Sequence, residues 1–159
     1  EPNLSIFKYL NGLLGRAAWF DQLASFAAHY LGWVLVSGFL LYTLYEFFRR
    51  RSRAGERFLF IFGSALFAWV MAETIQFFYF HPRPFAADNS FPSGHATFFF
   101  ALGTALNLFQ PPLGRIYLFG ALLVGLGRVV VGLHWPADVL AGWLLGGLTI
   151  YFLRLLFRI

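Results

Sequence analysis

The stretch RPFAADNSFPSGHATFFF, residues 83–100, places an arginine, a serine, a glycine and a histidine at the edge of a hydrophobic segment. A proline followed by Ser93 is typical of a helix start, where free backbone N–H groups bind anions. Gly94 has no side chain, so a ligand can approach the backbone closely. Arg83 lies between two prolines, which limit where its guanidinium can point. His95 falls in the first turn, where the helix dipole disfavours imidazolium until an anion arrives. These residues predict an anion site.

A second polar cluster lies in GRVVVGLHWPADVLAG, residues 127–142. Arg128 ends one hydrophobic segment, and His134 and Asp138 open the next. Pro136 suits the first position of a helix, so the side chain of Asp138 is expected to reach back toward the residues just before it. A carboxylate bonded to one imidazole nitrogen fixes the tautomer and leaves the other nitrogen free as a nucleophile.

Each of these residues also has an ordinary structural explanation. His134 can be a hydrogen-bonded histidine at a helix end, the arginines can extend to a membrane interface, and Ser93 can be a simple helix cap. His134 and Asp138 can also ligate a metal, but two nearby arginines favour an anion, so no metal is predicted. A functional site is favoured because these features occur together at one end of the hydrophobic segments: two arginines, two histidines, an aspartate and a helix start. Ionisable residues at membrane depth are functional candidates by default.

The rest of the chain is apolar enough to cross a membrane. Of its 159 residues, 59% are hydrophobic and 12% are charged, whereas soluble domains carry about 25% charged residues. A spanning helix needs about 20 apolar residues. Five segments approach that length, about Ala24–Phe48, Phe58–Phe80, Ala96–Gln110, Ile116–Leu133 and Ala137–Leu156.

Residues 3–15 are too short and too polar to span, and they predict an amphipathic helix at the membrane interface. Its apolar face would carry Leu4, Phe7, Leu10, Leu13 and Leu14. The predicted fold is therefore all-α. It is a single membrane-embedded domain over residues 1–159, a bundle of five transmembrane helices plus an N-terminal interfacial helix.

The basic residues predict how this bundle is oriented. One side of the predicted spans carries eight arginines, namely Arg49, Arg50, Arg51, Arg53, Arg57, Arg115, Arg154 and Arg158. The other side carries Lys8, Arg16, Arg83 and Arg128. Because basic loops stay in the cytoplasm, we expect a cytoplasmic C-terminus and both polar clusters on the outer face. The same pattern explains the net charge of +5 without a nucleic-acid partner.

The third predicted span is short, and this bears on the depth of the site. Its 15 residues would cover roughly 22 Å as a helix, against about 30 Å of hydrocarbon. The corner at Ser93–His95 is therefore expected to lie in a recess below the membrane surface. The chain contains no cysteine, which excludes disulfides, zinc-thiolate sites and thiol catalysis.

Taken in order, these motifs resemble those of the type 2 phosphatidic acid phosphatase family. Residues 92–95 read PSGH, and residues 127–128 read GR, followed by five residues, His134, three residues and Asp138. The Arg-Pro pair at residues 83–84 is similar to the end of the first family motif. The number of predicted spans and the residues that flank these motifs further resemble those of the short bacterial undecaprenyl-pyrophosphate phosphatases.

This resemblance implies a lipid-phosphate phosphatase that needs neither metal nor cofactor. It implies that His134 attacks the terminal phosphorus to form a phosphohistidine, that Asp138 orients His134, and that His95 protonates the leaving oxygen. The phosphoryl oxygens would be bound by Arg83, Arg128, Ser93 and the backbone amide of Gly94. Phosphoryl transfer depends mainly on positioning and charge stabilisation, which these residue types supply.

The sequence departs from the family pattern at two positions. Gly127 stands where the family has serine, which removes at most one hydroxyl contact. Gln76 stands where the first motif has lysine, so we expect it to bind phosphate as a neutral donor. Glu73 lies on the same helical face as Gln76. It is either a partner of the motif arginine, a proton carrier, or a carboxyl paired with an unrelated polar group. His81 and Asp88 are expected to be solvated loop residues.

The sequence thus predicts a phosphatase of isoprenoid or phospholipid phosphates in the bacterial inner membrane, acting at the outer face. Undecaprenyl diphosphate, converted to undecaprenyl phosphate, is the favoured substrate, with its tail among the spans. The alternatives are phosphatidylglycerol phosphate, phosphatidic acid or lipid A as substrate, or a non-catalytic binder or transporter of lipid phosphates. Vanadium haloperoxidases share the residue pattern, but five apolar spans argue against a soluble enzyme of that kind.

Overall fold

Seven helices make up the part of the chain that the computed structural model describes, residues 2–49 and 53–158. In chain order they are α1 (Pro2–Asn11), α2 (Ala18–His29), α3 (Leu31–Phe48), α4 (Ala54–Phe78), α5 (Gly94–Phe109), α6 (Pro111–Val130) and α7 (Pro136–Phe157). Within these ranges no strand forms, and one isolated β-bridge joins Pro82 to Asn89 in the loop before α5. The predicted all-α fold is confirmed.

Helix α5 lies at the centre of the bundle, in contact with α4, α6 and α7. Two glycines of α7 allow its backbone to approach that of α5 closely. A Cβ atom on Gly146 would lie 2.5 Å from the carbonyl oxygen of Thr97, and one on Gly142 would lie 2.7 Å from that of Ser93. Small residues let membrane helices pack backbone to backbone. This contact holds the beginning of α7 against the beginning of α5.

Among residues 2–49 and 53–158, four helices are long and apolar enough to cross a membrane, namely α3, α4, α6 and α7. The chain is therefore a multi-pass membrane protein. Helix α5, with 16 residues, is about 24 Å long at 1.5 Å per residue. It corresponds to the short third segment predicted from the sequence but is not among these four helices, so the count of five spans stays a prediction. Helix α6 begins five residues before its predicted span, because Pro111 and Pro112 start the helix.

The first predicted span, Ala24–Phe48, is wrong as one continuous helix. The chain bends at Tyr30, so that α2 and α3 are separate helices. Arg128 of α6 explains the break, because its Nη1 donates a hydrogen bond to the carbonyl oxygen of Ala28 at 3.2 Å. In a continuous helix that carbonyl would accept from Gly32, and a side chain inserted into this ladder bends a helix.

The N-terminal helix is shorter than predicted, because it ends at Asn11 instead of residue 15. Phe7 is its buried side chain, and its ring centroid lies 4.9 Å from that of Trp135. Asn11 donates a hydrogen bond to the carbonyl oxygen of Val130 at 2.8 Å. Helix α1 is thus anchored to the loop between α6 and α7. Two of the arginines used to predict orientation, Arg50 and Arg51, lie outside the described residues.

Candidate active site

The structure brings the two polar clusters of the sequence together at one end of the bundle. That end is formed by the beginnings of α5 and α7, with the end of α6 and the 79–93 loop beside them. The backbone N–H of Ser93 donates to the carbonyl oxygen of Asp138 at 2.9 Å, which fastens the two helix starts to each other. Because both residues are fully buried, this contact fixes the relative position of the clusters.

His134 lies on the loop before α7 and is buried, with 2% of its surface exposed. Its Nδ1 lies 3.1 Å from the carbonyl oxygen of Ser90 and 3.6 Å from Oδ2 of Asp138. A carbonyl oxygen can only accept, so these partners assign the proton to Nδ1. The lone pair then resides on Nε2, which is the nitrogen available for nucleophilic attack.

The charge state of His134 suits that role. Burial lowers the pKa of the His134 imidazole below its usual value, while the contact with Asp138 acts in the opposite direction. The positive charges of Arg128 and Arg83 lower this pKa further. The imidazole is therefore neutral at pH 7, as a nucleophile requires.

Arg128 is a buried cation that is only partly satisfied. Its residue surface is 8% exposed, and Nη1 donates to the carbonyl oxygen of Ala28. Its Nε atom is buried and has no hydrogen-bond partner among residues 2–49 and 53–158. A buried charged donor without a partner is unfavourable. The site is therefore suited to an anion that would complete the hydrogen bonding of this guanidinium.

Arg83 is held in place by its own loop. Its Nε donates to the carbonyl oxygen of Asn89 at 3.2 Å and lies 3.1 Å from Oδ2 of Asp88. The expectation that Asp88 is only a solvated loop residue is thus incomplete, because its carboxylate pairs with Arg83 while staying largely exposed. This pairing orients the guanidinium, whose charge still acts on His134.

Gln76 does not simply replace the lysine of the family motif. Its Nε2 donates to the carbonyl oxygen of Pro92 at 2.8 Å, and its backbone carbonyl oxygen accepts from Nδ2 of Asn89. Both bonds support the backbone just before Ser93. An amide carries a second N–H, so phosphate contact stays a prediction, while support of this loop is what the structure shows.

The start of α5 has the form predicted for an anion site. Ser93 is the N-cap, and its Oγ accepts from the backbone N–H of Ala96 at 3.4 Å. Gly94 is buried, and a Cβ added there would lie 2.6 Å from Oε1 of Glu73. His95 is exposed and lines a cavity of about 240 Å³. Glu73 thus lies beside the helix start, whereas the ion pair of Arg83 shown above is with Asp88.

The structure also explains the glycine at position 127. A Cβ atom there would lie 2.8 Å from the backbone nitrogen of Ala28 and 3.0 Å from Cβ of Ala27. Helix α2 therefore packs directly on α6 at the residue before Arg128. The sequence interpretation, loss of one hydroxyl contact, misses this close approach, because the partner residues lie about a hundred positions earlier.

His81 is not the solvated residue expected from the sequence. Its ring is half-buried, and Nδ1 lies 3.4 Å from Oδ1 of Asp138 and 3.1 Å from Oγ of Ser90. The bridge between Pro82 and Asn89 folds the loop back and carries His81 to the site. Composition alone could not find this contact, because His81 and Asp138 lie far apart in the sequence.

Comparison with curated proteins finds relatives along most of this chain. The bacitracin transport permease protein BcrC of Bacillus licheniformis is 31% identical, over 96% of this chain and 79% of its own length. The undecaprenyl-diphosphatase of Sulfolobus acidocaldarius is 32% identical, over 91% of this chain and 73% of its own. The lipid A 1-phosphatase of Rhizobium etli is 44% identical, but over 39% of this chain and 27% of its own.

The fold has a counterpart among solved structures. The crystal structure of Aquifex aeolicus LpxE superposes with a TM-score of 0.74 and 26% sequence identity, covering 96% of this chain and 94% of that one. The sequence profile of the PAP2 superfamily matches residues 67–158, which contain every residue assigned above to the two clusters. With relatives above 30% identity along most of its length, and this profile across the whole site, the chain belongs to the PAP2 superfamily of phosphatases.

Proposed function

We propose that this phosphatase removes the terminal phosphate of undecaprenyl diphosphate, at the outer face of the bacterial inner membrane, through a phosphohistidine on His134. The observation that carries the proposal is the environment of His134. Its Nδ1 lies near the carbonyl oxygen of Ser90 and Oδ2 of Asp138, which leaves Nε2 of the neutral imidazole free. The charge of Arg128 acts on this ring, and the buried Nε of Arg128 has no hydrogen-bond partner in the described part of the chain. This arrangement pairs a nucleophile with a site for the charge of a phosphoryl group.

In the proposed reaction, Nε2 of His134 forms a bond to the terminal phosphorus as the phosphorus–oxygen bond to the leaving group breaks. His95 supplies the proton that the leaving oxygen takes up. Water then gives a proton to His95 and attacks the phosphohistidine, so that the phosphorus–nitrogen bond breaks, inorganic phosphate leaves, and both histidines return to their starting forms. Arg83, Arg128, Ser93 and the Gly94 amide bind the phosphoryl oxygens, whose charge spreads in the transition state. Replacing His95 is expected to slow an alkyl ester more than a nitrophenyl ester, whose leaving group needs little protonation.

A cavity beside His95 supports the proposal of an isoprenoid tail on the substrate. The cavity that His95 lines is enclosed mainly by apolar side chains of α2 to α6, with His29 as a further polar lining residue. Its walls include Trp33, Trp69 and Phe99. A Cβ atom on Gly32 would lie 2.7 Å from the ring of Phe99, so a glycine keeps this wall clear. The proposal places the first part of the isoprenoid chain here, with the remainder among the surrounding lipids.

Two alternatives have specific support. The higher local identity to a lipid A 1-phosphatase favours a phosphorylated glycolipid, but that match covers less than half of this chain, whereas the undecaprenyl-diphosphatase match covers nine tenths. The name of the Bacillus licheniformis relative favours a transport role. The nucleophile, its orienting carboxylate and the adjacent buried arginine favour catalysis over transport.

Substrate preference is the direct test of the proposed lipid. Purified protein in detergent should release phosphate from undecaprenyl diphosphate with the highest kcat/KM. This value should be at least about tenfold above those for lipid A 1-phosphate, phosphatidylglycerol phosphate and phosphatidic acid. A tenfold ratio corresponds to a difference of about 1.4 kcal/mol in transition-state binding. A higher kcat/KM on any of the other three would replace undecaprenyl diphosphate with that lipid. No release from any of the four would favour the transport alternative.

The orientation can be tested by single cysteines, because the chain has none of its own. Ala87 lies exposed in the loop that carries Arg83, and Gly55 lies exposed near the start of α4, with nothing within 4 Å of an added Cβ. In intact cells, Ala87→Cys should react with a membrane-impermeant maleimide, while Gly55→Cys should react only after permeabilisation. The reverse pattern would place the site on the cytoplasmic face. Ser52, a natural choice for the inner loop, lies outside the described residues.

A further inference from the structure

Asp138 presents one oxygen to each of two histidines, and the site as described uses only one of them. Its Oδ2 accepts from the backbone N–H of Trp135 at 2.9 Å and lies 3.6 Å from Nδ1 of His134. Its Oδ1 is fully buried and accepts no hydrogen bond within the described part of the chain. Burying a carboxylate oxygen without a hydrogen-bond donor destabilises the folded protein. The nitrogen Nδ1 of His81 lies 3.4 Å from this Oδ1.

The ring of His81 is held in an orientation that suits this contact. It stacks on Tyr79 with the two planes 10° apart, and the ring of Phe91 meets it edge-on. On the polar side, Nδ1 lies 3.1 Å from Oγ of Ser90. The imidazole is thus packed on both sides, and Nδ1 is the nitrogen that points toward Asp138.

The hydrogen bonds of Ser90 indicate which nitrogen of His81 carries the proton. The Ser90 hydroxyl donates to the carbonyl oxygen of His81 at 2.9 Å. Having used its one proton, the hydroxyl offers a lone pair to Nδ1 of His81, which favours a proton on Nδ1. That N–H points between Oγ of Ser90 and Oδ1 of Asp138. A small rotation of the ring directs this N–H at the carboxylate as a hydrogen-bond donor.

We propose that His81 is a positioning residue for the reaction, because its Nδ1–H holds Oδ1 of Asp138 and so keeps Oδ2 on His134. The inference rests on the proposed role of His134 as nucleophile. His81 acts through Asp138 and touches neither the phosphate nor the attacking nitrogen. The loop before α5 therefore supports the nucleophile twice, through the Ser90 carbonyl oxygen on His134 and through the His81 ring on Asp138.

Two substitutions of His81 separate this role from simple packing. His81→Asn places an amide N–H near the position of Nδ1, whereas His81→Gln places it near Nε2, at the other side of the ring. We expect His81→Gln to lower kcat by about tenfold with KM within about twofold, and His81→Asn to keep kcat within about threefold of the unsubstituted protein. Both variants are polar and of similar size, so loss of fold would affect both alike. Tyr79→Leu is the control for the loop, since it removes the stacked ring and leaves the N–H in place.

A double-substitution cycle tests whether His81 acts through Asp138. In an Asp138→Asn background, His81→Gln should lower kcat by less than about twofold further, because residues in one hydrogen-bonded network are not additive. Additive losses in the cycle, equal losses of kcat for His81→Asn and His81→Gln, or a loss confined to KM would each overturn the inference. Failure of the proposed function would look different, since His134→Asn would then stay active.

Discussion

Replacing His134 with alanine is expected to lower kcat on a lipid diphosphate by at least about a thousandfold, because the proposed covalent intermediate forms on its Nε2. The proposed phosphate ligands Arg128, Arg83 and Ser93 are unsubstituted in this variant. Binding of the lipid diphosphate should therefore change by no more than about tenfold. The measurement is phosphate release under saturating substrate, together with equilibrium binding of the same lipid.

A second variant separates loss of the nucleophile from loss of the fold. His134→Ala leaves the buried carbonyl oxygen of Ser90 without its ring partner, which can destabilise the loop. His134→Asn keeps an N–H at the position of Nδ1 but has no nitrogen at the position of Nε2. The Asn variant should have a melting temperature close to that of the unsubstituted protein, and it should be as inactive as His134→Ala. An Asn variant with more than a few per cent of the normal kcat would remove His134 from the role of nucleophile.

Replacing Arg128 with alanine should lower kcat/KM by roughly a hundredfold to a thousandfold, as loss of a preorganised donor to a developing oxyanion does. The buried Nε without a partner is the basis for this magnitude. Arg128→Lys retains a charge but lacks the planar fork that reaches both the Ala28 carbonyl oxygen and an anion, so it should recover only part of the loss.

Arg115 provides the matched control on the same helix. It lies exposed at the other end of α6, where its Nε donates to the carbonyl oxygen of Pro111. Arg115→Ala should keep kcat/KM within about twofold, because surface substitutions away from the site have small effects. If Arg115→Ala and Arg128→Ala lost activity equally, the loss would come from helix packing or membrane insertion, and Arg128 would not be a phosphate ligand.

Much of the site could be predicted from the sequence because its parts are local. A proline, a serine and a glycine define the beginning of α5, and Pro136 defines the beginning of α7. Asp138 follows His134 by four residues, so a helix start between them brings the carboxylate back to the imidazole. These features depend on backbone geometry over a few residues, which the sequence pattern specifies directly.

The features that the sequence did not reveal all depend on contacts between distant segments. The break at Tyr30 follows from Arg128 reaching the Ala28 carbonyl oxygen. The absence of a side chain at Gly127 follows from the same helix pair, through Ala27. Apolar composition does not reveal such a break, because α2 and α3 are both hydrophobic on average, although α3 is the more hydrophobic of the two.

The loop of residues 79–93 is the other place where sequence reasoning fails. The sequence predicts that its polar residues face water, yet His81 contacts Asp138 and Asp88 pairs with Arg83. Family comparison suggests that Gln76 is a weakened lysine, but its amide holds the carbonyl oxygen of Pro92. In each case a side chain binds the backbone or a side chain of a neighbouring segment, and such pairs become visible only once the segments are packed.

The covalent intermediate is the central claim of this account, and trapping it is the most direct test. Purified protein is mixed with lipid diphosphate labelled in the terminal phosphate and denatured within milliseconds. The account predicts label on the protein that is stable to base and lost in mild acid, as a phosphorus–nitrogen bond behaves, and that is located on the peptide containing His134. The label should be absent from His134→Asn. Full turnover with no protein-bound label at any time, or label that persists in His134→Asn, would contradict it.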